Sequence, residues 1–180
     1  MFRYILENKK PFYWFVFHIL LGGLCIISPW FLVIWFYFVL ISSVPSFIKG
    51  LDDRFFRFTG LIVYVVAFEL LGRVSRASPF IPYEMGKYAL LVFLSLGIIL
   101  GYRRGIIGWL MLFLLIPGIF LDLSGKVGFK NVVANLFGPV SVALAVIYFK
   151  GQTLNEEGLK SLLRLIALPL VSVLSFVILK

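Results

Sequence analysis

Long apolar runs alternate with short charged interruptions along this chain. After a polar, basic start over residues 1–11, residues 12–48 are almost continuously apolar. That run exceeds one membrane span of about 20 residues. Ser28-Pro29-Trp30 is its natural break, because proline ends a helix and biases its predecessor towards extended geometry. The pattern predicts a helical hairpin over about 12–48, with arms over 12–27 and 30–48. Further spans are predicted over about 58–72, 87–102, 106–121, 132–149 and 161–179. Charged or polar loops are expected from Lys49 to Arg57, from Asp122 to Asn131 and from Lys150 to Lys160, with a tight turn from Gly101 to Gly105. Trp14, Trp30 and Trp35 read as interfacial anchors of the hairpin, or, for Trp35, as a deeper residue. Pro117-Gly118 is expected to kink its span. Gly138-Pro139 requires that neighbouring helices or water satisfy the carbonyls it frees.

The fold class that follows is all-α: a polytopic transmembrane helical bundle of about seven spans with short loops, one domain over 1–180. Strands are the competing reading, but membrane barrels alternate apolar and polar residues in segments of about ten, and these runs are continuous.

Composition strengthens the membrane reading. Hydrophobic residues make up 62% of the chain and charged ones 14%, against about 45–50% and about 25% in soluble domains. A core of this size cannot hide the excess, so lipid is the expected solvent and membrane lipid the first partner. The net charge is +9, but the cations sit in short clusters between apolar runs. That suits headgroups and topology control, and no nucleic-acid motif accompanies it, so no nucleic-acid partner is expected. The lone Cys25 reads as a small buried hydrophobe. The amino-terminal run is too long for a cleaved signal.

Seven spans place the loops alternately on two sides. Eleven of the 17 cations fall on one side, among them Arg3, Lys9, Lys10, Lys49, Arg54, Arg57, Arg103 and Arg104. The other side holds Arg73, Arg76, Lys87, Lys126, Lys130 and Lys180. The richer side should be cytoplasmic. The expected topology is thus multi-pass, with a cytoplasmic amino terminus and the carboxyl terminus outside.

This topology leaves Arg73, Arg76 and Lys87 on the outer face, against the usual bias. One reason would be an anionic ligand such as the diphosphate of a lipid-linked substrate, since arginine offers a planar fork of donors matched to phosphate oxygens. Glu69 precedes Arg73 by four residues, the favourable spacing for a helical ion pair, and Glu84 is the carboxylate of the loop; these two are the supporting residues. Pro79 and Pro82 would stiffen that loop and hold Phe80 and Tyr83 at the interface. The plainer reading is that these residues are snorkelling anchors plus an intrahelical ion pair.

His18, the single histidine, reads as hydrogen-bonded to a neighbouring helix rather than as a proton relay. No cluster has metal-ligand spacing, so no metal or other cofactor is expected. No nucleophile elbow or phosphate loop occurs, and no catalytic residue is assigned. Gly101 and Gly105 read as turn residues rather than a packing seam.

The stretch Gly72–Tyr88, GRVSRASPFIPYEMGKY, resembles the early conserved region of O-antigen ligase and polymerase-like membrane proteins. The tail Leu163–Val171, LRLIALPLV, resembles the segment that leads towards their central region. The resemblance covers about 58–180. It implies an inner-membrane glycosyltransferase type that takes glycan from an undecaprenyl diphosphate carrier on the periplasmic side in lipopolysaccharide biosynthesis, without metal or nucleotide sugar. It also implies a large periplasmic catalytic loop bearing Arg and His. This chain stops before any such loop, and His18 lies in the wrong segment to replace its histidine. The expectation is therefore the amino-terminal membrane part of such an enzyme, or a relative without catalysis. The alternative is a non-enzymatic scaffold or accessory subunit of an envelope complex with a fixed protein partner. A small transporter is disfavoured, since only His18 and Glu69 offer polarity at mid-membrane.

Overall fold

The computed structural model describes residues 11–48, 51–77, 85–101, 105–120 and 128–180, without the side chains of 43–48, 51–57, 119, 129–130 and 133–134. Those residues form seven helices and no strand: α1 (Pro11–Ile27), α2 (Trp30–Ile48), α3 (Leu51–Val74), α4 (Met85–Ile99), α5 (Ile106–Phe120), α6 (Phe129–Phe149) and α7 (Glu156–Leu179). The all-helical architecture is the expected one, and the hairpin breaks at the expected place. The Ser28 amide closes α1 on the Leu24 carbonyl, and the Leu32 and Val33 amides begin α2 on the Pro29 carbonyl.

Three helices start three or more residues earlier than the apolar pattern suggests. Residues 51–57, expected in a charged loop, form the first two turns of α3. No Gly or Pro interrupts them. α6 begins at Phe129 rather than at 132, directly after Gly128, whose φ is +75°. α7 begins at Glu156 rather than at 161 because Asn155 caps it: the Asn155 side-chain carbonyl accepts from the Gly158 amide at 2.8 Å, with Glu156 and Glu157 in the first turn.

The chain divides into two compact units, residues 1–86 with 154–180, and residues 87–153. In the first unit α7 packs against α1 and α3, with α2 beside α1 and α3. α1 and α7 run parallel. His18 meets Ser172, the Ser175 hydroxyl donates to the Ile19 carbonyl at 2.8 Å, and Gly23 faces Leu179, so the contact positions rise together along both helices. Small residues permit the approach: a Cβ on Gly22 would collide with the Ser172 carbonyl and the Ser175 Cβ. α1 and α2 are held at their facing sides by Phe17 and Trp35, ring centroids 4.4 Å apart.

In the second unit α5 and α6 form an antiparallel pair. Gly105 faces Val146 and Ile147, Gly108 faces Ala143 and Ile147, and Gly118 faces Leu136. Gly105 is therefore a packing residue and not only the end of a turn, which corrects the sequence reading. Gly101, with a φ of +118° and open space around its Cα, is the turn residue.

The outward faces are apolar as well. On α5, Ile106, Trp109, Leu110, Phe113, Leu114 and Phe120 are all exposed. The 24-residue α7 is the one helix, among the described residues, long and apolar enough by itself to cross a membrane. α4 and α5, at 15 residues each, rise about 22 Å, less than the roughly 30 Å of a bilayer core.

Candidate functional site

The carboxyl end of α3 carries the residues that the sequence singles out. Glu69 and Arg73 lie one turn apart and form the expected ion pair, Arg73 donating through Nη2 to Glu69 Oε1. The two partners are not equally placed. The Glu69 side chain is 13% exposed and that of Arg73 39%, so the carboxylate is the anchored member and the guanidinium reaches outward. The second carboxylate oxygen of Glu69, Oε2, faces Gly86 in the first turn of α4 so closely that a Cβ there would collide with it. Glu69 thus sits between a guanidinium and the amino-terminal turn of a helix, both favourable for negative charge. Gly86 is a site residue that the apolar pattern does not flag. Its only signal in the sequence is a side-chain-free position beside Lys87.

α3 ends in a double hydrogen-bonded cap. The Ala77 amide donates to the Gly72 carbonyl at 3.2 Å and the Arg76 amide to the Arg73 carbonyl at 3.4 Å. This is the arrangement in which the residue after the helix takes a left-handed conformation, ordinarily glycine. Here it is Arg76, with a φ of +55°, the one positive-φ residue other than glycine among the described residues. A side chain in this region costs about 1 kcal/mol. The cap holds the Arg76 side chain exposed, while Ser75 and Ala77 on either side are buried. Both arginines also lie at the negative end of the α3 dipole, which favours cations there. Lys87 is an exposed residue of α4 and belongs to the second unit. Glu84, Pro79, Phe80, Pro82 and Tyr83 lie outside the described residues.

A second polar constellation lies inside the first unit. Trp35 Nε1 donates to the Tyr64 hydroxyl at 2.8 Å, which lies 3.2 Å from His18 Nε2, and His18 Nδ1 lies 2.7 Å from Ser172 Oγ. Trp35 can only donate, so the Tyr64 hydroxyl accepts from it; the donor and acceptor roles at the two His18 nitrogens follow the tautomer. α1, α2, α3 and α7 each contribute one member. Trp35 is half-buried and turns its indole N–H to Tyr64, and His18 is bonded to neighbouring helices as its lone position suggests. The Ser172–His18 spacing is that of a nucleophile and its base. Both residues are wholly buried, so no substrate carbonyl can reach the hydroxyl, and the pair is structural. Sequence reasoning misses this constellation because its members are distant in the chain.

Cys25 is buried, and no group of three or more His, Cys, Asp or Glu side chains converges among the described residues. Comparison with protein-family models, curated proteins and solved structures finds no match to this chain.

Proposed function

We propose that this chain is a polytopic membrane protein of the bacterial inner membrane, and that the arginine corner closing α3 binds the diphosphate of a lipid-linked glycan, as in the membrane part of an O-antigen ligase or polymerase-type transferase. The observation that carries the ligand class is the pairing of Arg73 with an exposed Arg76 held at a left-handed cap. A conformation that costs free energy at an arginine, where glycine would cost none, supports a role for that side chain. Two guanidinium groups within one turn of each other match the spread of oxygens on a diphosphate better than a point charge would.

Two features support the membrane placement. The exposed large residues of α5 are all apolar, and such a surface is stable in hydrocarbon rather than in water. α1 and α7 run parallel with five helices between them, the relation that strictly alternating crossings require. The short α4 and α5 would then need flanking residues or local thinning of the bilayer.

The test of the ligand reading is binding of undecaprenyl diphosphate to the full chain in nanodiscs. The Arg73→Ala/Arg76→Ala variant should bind more weakly while inserting normally, and unchanged binding would end the reading. The scaffold alternative has its own support: the Ser–His pair is closed to substrate, and the first unit is tied together by a polar string spanning four helices. It predicts co-purification with one fixed partner, with the arginine variant leaving that partnership intact.

A further inference from the structure

We propose that Glu69 is a built-in competitor for the arginine corner: its carboxylate pairs with Arg73, and an incoming phosphate oxygen replaces it there. The inference rests on the ligand reading above and adds how that site is regulated.

Three observations carry it. The Glu69 carboxylate already makes with Arg73 the kind of charged hydrogen bond that a phosphate oxygen would make. The competitor is the more buried of the pair: Glu69 is largely buried, and its far oxygen is lodged against Gly86, whereas the Arg73 side chain is more than a third exposed. Gly86 is also the residue that makes this seat possible, since any side chain there would displace the carboxylate. A ligand must therefore win Arg73 from Glu69, while Arg76, which forms no ion pair among the described residues, remains exposed for first contact. The consequence is selectivity. A monoanion gains too little from Arg73 to displace the carboxylate, whereas a diphosphate can engage Arg76 and Arg73 together.

The experiment uses the full chain in phosphatidylcholine nanodiscs and measures dissociation constants for inorganic phosphate, inorganic diphosphate and farnesyl diphosphate. Parallel nanodiscs containing phosphatidylglycerol show whether an ordinary anionic headgroup competes. Glu69→Gln keeps the shape but removes the charge, and should tighten diphosphate binding about tenfold, the equivalent of one charge-assisted hydrogen bond. It should also narrow the preference for diphosphate over phosphate. Gly86→Ala keeps the charge but expels the carboxylate from its seat, and should shift affinity in the same direction. Wild-type affinity in both variants, with binding still lost in Arg73→Ala/Arg76→Ala, overturns the competitor role and leaves the ligand reading standing. Weaker binding in both, with circular dichroism and melting unchanged, also overturns it, because Glu69 would then be positioning Arg73 for the ligand. Diphosphate binding that is indifferent to the arginines overturns both readings.

Discussion

His18 Nδ1 and Ser172 Oγ lie 2.7 Å apart across 154 residues of sequence. This bond joins α1 to α7, and through Tyr64 and Trp35 it extends to α3 and α2. Removing its ends should cost unequal amounts. Ser172→Ala deletes one neutral bond and should lower stability by about 1 kcal/mol. His18→Ala leaves a cavity and removes the bonds to both Tyr64 and Ser172, and should cost about 3 kcal/mol. Denaturant titration in micelles gives both values. Equal and negligible losses would show that the string does not hold the helices together.

Gly22 and Gly23 are neighbours with opposite surroundings. Gly22 faces the Ser172 backbone and the Ser175 Cβ, whereas the nearest atom to a Cβ on Gly23 would be Leu179 Cδ1 at 3.6 Å. Gly22→Ala should force α1 away from α7 and destabilise by about 2 kcal/mol. Gly23→Ala should be neutral within about 0.5 kcal/mol. A cysteine pair placed across the two helices should lose crosslinking yield in the first variant only.

The same contrast recurs in the second unit. A Cβ on Gly105 would meet the Val146 carbonyl at 2.6 Å, and one on Gly108 would meet the Ala143 carbonyl at 2.6 Å, both unyielding backbone atoms. Gly138 has open space within 4 Å. Alanine at 105 or 108 should lower the melting temperature and the yield of folded protein. Alanine at 138 should leave the melting temperature unchanged or slightly raised, because it removes backbone freedom from the unfolded chain.

Arg76 offers a test in which stability and function move in opposite directions. Arg76→Gly relieves the left-handed strain at the α3 cap and should stabilise by about 1 kcal/mol. It also removes one guanidinium from the corner, so diphosphate affinity should fall. A variant that melts higher and binds undiminished would mean that the arginine serves only as an interfacial anchor.

Topology yields to direct mapping. A reporter fused after Ser78 should be active outside the cytoplasm, and one placed in the Gly151–Thr153 turn should be active inside. The reverse pattern would invert the membrane map and move the arginine corner to the opposite face.

Much of the architecture is legible in the amino acids alone, for a simple reason. In a chain this apolar, charges and prolines punctuate the helices, so the Ser28-Pro29 break and the seven helical segments of the described residues follow from one-dimensional pattern. The Glu69–Arg73 pair is equally legible, because helical spacing brings residues four apart together whatever the fold. The charged start of α3 is misread as a loop, since apolar pattern cannot tell a soluble helical turn from a coil.

Contacts between distant segments are another matter. That Gly86 seats the Glu69 carboxylate, that Trp35 turns inward to Tyr64, that Gly105 is a seam, and that His18 faces Ser172 all depend on which helix faces which. Apolar runs of similar composition can pair in many ways at similar energy, so only the three-dimensional arrangement of the small and polar residues selects among them.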